Sequence, residues 1–289
     1  MTIDFEQHRS HLCGVAYRML GSLSEADDAV QEAWLRLERA APSDIANPRG
    51  WLTTVVARIC LDMLRTRASR REQPLDLRAD RPATTSPEQE RMLADSVGLA
   101  LLVVLDKLDP AERIAFVLHD LCGVAFDDIA AIVSRSPDAA RQLASRARRR
   151  VQGSPLPDAD LAGQRHLVEA FIAALRRGDV EGLIAILDPD VVGRAVDDKG
   201  NVREIRGART WASGAVAFAQ LASHMAPGLI GGAVGLLMAP NGRLLRVLRF
   251  TFEAGRITRA EVISDRAQLD ALDIAAIELP TSAPAGRAE

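Results

Sequence analysis

DDIAAIVSRSPDAARQLASRARRRV, residues 127–151, decides how the first half of the chain folds. Its first seven residues, DDIAAIV, have the pattern of a short amphipathic helix. Ser134-Arg135-Ser136 then makes a three-residue turn. Ser136 stands as an N-cap, with Pro137 at the first helical position, where a missing N–H costs nothing. Two short helices joined this tightly form a helix-turn-helix. At 100° per residue, Ala140, Leu143, Ala147 and Val151 share the inner side of the second helix. Asp138, Gln142, Ser145 and Arg149 lie opposite, with Arg141 and Arg148 on one shoulder and Arg146 and Arg150 on the other. A strip of hydrogen-bonding side chains flanked by guanidiniums suits a helix that meets base edges and grips phosphates. The N-terminal turn of such a helix enters deepest, which makes Arg141, Gln142 and Ser145 the base-reading candidates. Arg146, Arg148, Arg149 and Arg150 are left for the backbone, and Ser136 completes the set at the cap. A solvated arginine face accounts for the charge, but not for the cap, the turn and the small-residue inner side together.

Outside this helix the chain has no basic surplus. Its 289 residues carry 36 basic and 39 acidic side chains, a net charge of −3. Positive charge is therefore local, and Arg58, Arg65, Arg67, Arg70 and Arg71 form a second cluster of it. Two basic patches on a neutral body fit a protein that meets phosphate at two places. No apolar run reaches the roughly 18 residues of a membrane span, so no membrane partner is expected. The N-terminus lacks the positive-then-apolar order of a secretion signal. Cys13, Cys60 and Cys122 are odd in number and far apart, implying neither a metal site nor a disulfide framework. No cofactor is implied, and a reducing cytoplasm is the expected compartment.

Residues 5–40 read as two helices. Ser24, with Asp27 three residues on, predicts a capping box for the second, and Val30, Ala33, Trp34 and Leu37 predict its buried stripe. Asp28, Gln31, Glu32 and Leu35 face the other way, an acidic strip with one leucine. A third helix places Leu52, Val55, Ile59 and Met63 on one face. Trp51 stands at its start beside ANPRG, Arg58 and Arg65 lie on its outer flank, and Asp62 is positioned to pair with Arg58. Residues 72–90 are proline-rich, polar and aperiodic, which predicts a linker. After a break at 153–160 the pattern changes. LAGQRHLVEAFIAALRRGD and VEGLIAILDPD predict helices. LLRVLRFTFE, residues 244–253, then alternates, with Arg246, Leu248, Phe250 and Phe252 on one face. Asn241-Gly242 before it and Glu253-Ala254-Gly255-Arg256 after it are hairpin signals.

DAVQEAWLRL, residues 28–37, resembles the polymerase-binding helix of bacterial sigma-70 factors. NPRGWLTTVVARICLDMLRTRASRRE resembles the −10-reading, promoter-melting segment of their extracytoplasmic-function group. LDKLDPAERIAFVLHDLCGVAFDDIAAIVSRSPDAARQLASRARRRV is similar to that group's region 4, which binds the −35 element. The resemblance spans about 150 residues in the right order. It implies that Asp28, Gln31, Glu32 and Leu35 meet core RNA polymerase at its β′ clamp helices, with the β flap as a further contact. It also implies that Trp51, Arg58, Arg65, Arg67, Arg70 and Arg71 meet the −10 region, and that the 137–150 helix reads the −35 element.

Beyond residue 155, LVEAFIAALRRGDVEGLIAILDPDVV resembles the start of a SnoaL-like domain, as in the subgroup of these factors that carries such an extension and is controlled through it. Two motifs of that subgroup differ here. The linker reads REQPLDLRAD where a Trp-Leu-Pro-Glu-Pro motif is usual, and the extension reads VDDKGN where Asp-Gly-Gly-Gly is usual. The expected architecture is therefore two all-α modules followed by an α+β SnoaL-like cone with a curved antiparallel sheet. The predicted divisions are region 2 over 1–71, a linker over 72–90, region 4 over 91–153, the extension over 160–275 and a tail over 276–289. Cyclase relatives use a pocket Asp or His as base. No motif pairs His166, His224, Asp197, Asp198 or Asp265 with an orienting partner, so no catalytic residue is expected. The extension is expected to modulate a promoter-specificity factor in cis, with a small-molecule or protein regulator as its ligand. Two other readings compete with this one: a helix-turn-helix regulator acting without polymerase, and a SnoaL-like enzyme with a DNA-binding appendage.

Overall fold

Ser22, not Ser24, opens the second helix. Both serines have an acid three residues on, but it is the Ser22 hydroxyl that accepts from the Glu25 N–H at 3.4 Å, while the Ser22 carbonyl accepts from Ala26. Helix α1 (Glu6–Leu20) ends at Gly21 in the left-handed conformation, and α2 spans Leu23–Arg39. The computed structural model describes residues 4–39, 47–71, 98–156, 159–196, 202–240 and 243–277. The predicted linker, Asp197, Asp198 and the Asn241-Gly242 turn lie outside them.

On α2, Ala26, Ala29, Val30, Ala33 and Leu37 are buried. Trp34 is not part of that stripe. At 100° per residue it falls at the rim of the buried arc, is 37% exposed, and meets Phe5 edge-on with ring centroids 5.0 Å apart. Helix α3 spans Pro48–Arg71 and starts on Asn47, whose side-chain oxygen accepts from the Gly50 N–H at 3.0 Å. Leu52, Val55 and Ile59 are buried as predicted, but so are Val56, Ala57, Cys60, Leu61 and Leu64. The helix is thus enclosed on most sides. Burial pushes the Cys60 thiol up to about 12 and that of Cys13 up to about 11, and it raises Cys122 as well. All three remain thiols at neutral pH, a poor state for redox sensing.

Helix α4 (Leu99–Asp106) leads to α5 (Pro110–Phe116), which continues as one π-helical turn, Val117–Leu121. Helices α6 (Phe126–Val133) and α7 (Pro137–Gln152) follow. Between them Ser134 sits at φ 57°, and its N–H returns to the Ala130 carbonyl. Ser136 caps α7 by accepting from the Ala139 N–H at 3.2 Å. The helix-turn-helix is therefore present where the sequence put it. Its inner side is Ala140, Ala144, Ala147 and Val151, with Leu143 only half-buried. Alanines at these positions let α7 approach its neighbours closely.

The chain divides into two compact units. The first contains α1–α3 and Leu105–Arg149; the second contains Gly98–Val104 and the described chain from Arg150 to 277. Within the first, α3 packs on α5 and α6, and α1 on the π-helical turn.

In the second unit, α8 (Leu161–Arg177) is capped by Asp160 and α9 (Val180–Ile186) by Asp179, each aspartate accepting from a glycine N–H three residues on. The predicted helix over VEGLIAILDPD stops at Ile186, because Leu187 turns extended and opens strand β1 (Leu187–Val196). Strand β2 (Val202–Arg206), helix α10 (Ala208–Ala215) and a 3₁₀ stretch (Val216–His224) follow. Strands β3 (Met225–Ile230), β4 (Ala233–Met238), β5 (Arg246–Glu253) and β6 (Arg256–Ile263), helix α11 (Arg266–Ala271) and strand β7 (Ile274–Ala275) complete the unit. His224 ends the 3₁₀ stretch, and Met225-Ala226-Pro227-Gly228 opens β3.

The sheet order is β2-β1-β6-β5-β4-β3-β7. It is mixed rather than wholly antiparallel, since β1 runs parallel to β6. The Glu253–Arg256 hairpin forms as predicted, with Ala254 at φ 48° and Gly255 at φ 73°. Leu248 and Phe250 enter the core, with Phe252 packed beside them. Phe171 of α8 sits 5.5 Å from both the Trp211 and the Phe250 rings, joining helices to sheet. Gly193 of β1 passes directly beneath Trp211, where a Cβ would lie 2.0 Å from Cδ1. The unit is α+β, as expected from the sequence, with helices packed on one seven-stranded sheet.

Candidate nucleic-acid interface

Three helical faces carry the residues singled out by sequence. On α2, Asp28, Gln31 and Leu35 are exposed and Glu32 is half-exposed, all opposite the buried arc. Glu32 forms an i,i+4 pair with Arg36 at 3.0 Å, on a face that water still reaches.

On α3 four of the exposed positions form a narrow strip, with exposed Thr66 just beyond it and exposed Arg49 on the other side at the helix start. Arg58, Asp62, Arg65 and Ser69 are exposed, and together with half-buried Trp51 they fall within an arc of about 60° at 100° per residue. Asp62 pairs with Arg65 at 3.9 Å, not with Arg58 as the spacing suggested. Arg67 departs from the predicted −10 set. It lies about 180° from Arg58 around the helix, half-buried, donating to the Leu20 carbonyl at 3.3 Å and pairing with Glu25. Arg70 and Arg71 extend the backbone of α3, and their side chains lie outside the described residues.

Arg67 begins a network of alternating charge. Its Nη1 is 4.0 Å from Asp106, and Arg113 Nη1 is 3.5 Å from the same oxygen. Arg113 is fully buried, and its Nε has no hydrogen-bond partner. Gly21, held at φ 75° as the C-cap of α1, lies beside its Nη2. Burial pushes Arg113 down to about 10, Asp106 opposes that shift, and Arg67 adds to it. It is still a cation at neutral pH. A buried cation needs its counterion, so Asp106 is structural.

On α7 the arginines divide into two kinds. Arg146 donates to buried Glu112 at 2.8 Å, and Arg148 pairs with Asp120 at 2.6 Å. These two shoulder residues tie α7 to α5 and the π-helical turn. Arg141, Gln142, Ser145 and Arg149 are exposed on the outward side and its shoulder, and Arg150 is exposed on the shoulder beside Arg146. Arg141 pairs with Asp138 at 2.6 Å and lies over the Phe126 ring, 5.2 Å from its centroid. Sequence spacing could not name partners 28 and 34 residues away.

Known sequences carry the same segments. Residues 5–70 match the model of Sigma-70 region 2, and residues 98–151 match that of Sigma-70, region 4. Over 271 residues the chain is 37% identical to the probable ECF RNA polymerase sigma factor SigI of Mycobacterium tuberculosis, spanning 92% of this chain and 93% of that one. The chain belongs to the extracytoplasmic-function group of sigma-70 factors. It is also 41% identical over 216 residues to the ECF RNA polymerase sigma factor SigJ of the same species, covering 71% and 68% of the two chains. The crystal structure of that SigJ aligns with a TM-score of 0.46 and 31% identity, over 92% of this sigma factor and 96% of that chain.

The extension of the sigma factor brings no acid–base pair together among the described residues. His166 is exposed on α8 and His224 ends the 3₁₀ stretch, while Asp265 caps α11 by accepting from the Gln268 N–H at 2.9 Å. An open, largely apolar pocket of about 310 Å³ lies among α9, β1 and the start of α10, with Arg209 at its rim. Neither histidine lines it. No helix among the described residues is long and apolar enough to cross a membrane.

Proposed function

We propose that this sigma factor docks on core polymerase through the exposed α2 strip and contacts the −10 region along the Trp51–Arg58–Arg65 strip of α3, with Arg70 and Arg71 beyond. It reads the −35 element with the outward side of α7. Asp28, Gln31, Glu32 and Leu35 supply carboxylates, an amide and one apolar side chain to the β′ clamp helices, and region 4 meets the β flap. The factor acts in the cytoplasm and performs no turnover. Its extension works by contact, which fits histidines without partners and an aspartate occupied as a helix cap.

Promoter binding requires region 2 and region 4 to part. The −35 and −10 elements are centred about 25 base pairs apart, roughly 85 Å along a duplex at 3.4 Å per pair. Two modules whose helices touch, α3 on α5 and α6, cannot reach both. The compact first unit is therefore a resting arrangement, with Arg67 and Asp106 among the contacts that opening breaks. Once apart on their tether, the two modules gain from binding both elements at once.

The observation that carries control in cis is the make-up of the second unit. Gly98–Val104, the first residues of the region 4 match, group with the extension. At the other end of region 4, Val151 accepts from the Ala276 N–H at 2.9 Å. Gly153 sits at φ 61°, where a Cβ would be 2.3 Å from that of Ala275. Deleting residues 160–289 changes run-off transcription with core polymerase, and Gly153→Ala, which drives a Cβ into this seam, shifts output in the same direction. Equal transcript yield from all three proteins would sink the idea.

A further inference from the structure

We propose that Phe126 and Asp138 are positioning residues that hold the Arg141 guanidinium to read one guanine of the −35 element, so that together they set a G·C requirement at a single position. This rests on the reading that α7 enters the major groove at that element.

Arg141 is restrained from two sides. Asp138, one turn earlier on α7, takes Nη1 at 2.6 Å, and Phe126 of the preceding helix lies under the guanidinium carbon at 5.2 Å. Phe126 is fixed in turn. It stacks on His119 with ring centroids 3.9 Å apart and planes 29° from parallel, and His119 Nδ1 donates to the Val124 carbonyl at 3.1 Å. A tier of His119, Phe126 and Arg141 thus runs from the π-helical turn through α6 to α7. It links three consecutive elements at the end of α7 that the Ser136 cap defines.

An exposed arginine on a helix ordinarily samples many rotamers, and ordering it lowers the net gain from any contact it makes. Here the ring and the carboxylate impose much of that order beforehand. With Nη1 engaged by Asp138, the donors on Nε and Nη2 match two acceptors, and guanine alone presents O6 and N7 as paired acceptors in the major groove. Arg146 and Arg148, committed to Glu112 and Asp120, hold the frame of α7.

Full-length protein with core polymerase, assayed by transcription from a library randomised across the −35 element, tests this. The wild type selects G·C at one position, and Arg141→Ala lowers that preference about tenfold or more while the other positions keep theirs. Phe126→Leu, which keeps an apolar side chain but removes the ring, lowers the preference at the same position about two- to fivefold. Asp138→Asn lowers it too, while keeping a polar side chain in the first turn. Thermal melts of each variant report folding independently. If Phe126→Leu and Asp138→Asn reduce transcription equally on all sequences, or leave the preference intact while Arg141→Ala abolishes it, the positioning role is overturned and the reading by α7 stands. If no α7 variant alters any −35 preference, that reading itself fails.

Discussion

A chain carrying Asp28→Arg and Glu32→Arg keeps its fold and loses core polymerase. Both side chains lie on the outer face of α2, opposite Ala26, Ala33 and Leu37. The only described contact broken is the exposed Glu32–Arg36 pair, worth about 0.5 kcal/mol or less. Thermal stability therefore stays close to wild type. At a docked interface the same changes act differently. Removing one partner of a desolvated charge pair costs about 2–5 kcal/mol, and reversal adds repulsion. Holoenzyme affinity accordingly falls by a factor of a hundred or more, which a co-migration or fluorescence-anisotropy titration against core polymerase reads directly. Wild-type affinity in the double variant would place the polymerase contact elsewhere on region 2.

Asp106→Ala has the largest effect on stability. It leaves Arg113 buried without its nearest carboxylate, and the Nε of Arg113 already lacks a partner. Leaving such a charge uncompensated costs about 3–5 kcal/mol. The lower end applies, because Asp106 itself is partly open to water at 24% side-chain exposure. Urea unfolding gives the measurement, and a second substitution gives the diagnosis. Removing the stranded cation with Arg113→Met, in the Asp106→Ala background, restores most of the loss, because an apolar side chain of similar length is at home in that site. If the double variant is no better than Asp106→Ala, the carboxylate matters through its helix end and not through Arg113.

Local chemistry made much of the architecture readable. The helix-turn-helix was legible because Ser136 and Pro137 act on their own neighbours, and the Glu253–Arg256 hairpin because two adjacent residues there take positive φ. Where two local signals compete, spacing cannot choose. Ser22 with Glu25 and Ser24 with Asp27 offer the same cap two residues apart, and only the packed chain selects the first. Leu187 leaves the helical register because its backbone pairs with Ile257 on a strand 70 residues downstream, which no window around VEGLIAILDPD contains. The side of α3 that Arg67 occupies was computable, but the carboxylates waiting there came from α2 and α4. In the same way, the sequence showed Arg146 and Arg148 as cations, and only the packed chain places Glu112 and Asp120 beside them. Charge was visible in the sequence, whereas its partner depended on tertiary packing.

The central claim is that α2, α3 and α7 serve one act, bringing core polymerase to a two-part promoter. Single-round transcription with purified core polymerase, on a library randomised through both elements, tests it most directly. Transcripts should appear only when core and this chain are combined, and the templates used should share two conserved blocks at a fixed spacing. Sequence-specific binding of the chain to DNA by itself, with no transcription on adding core, would contradict it.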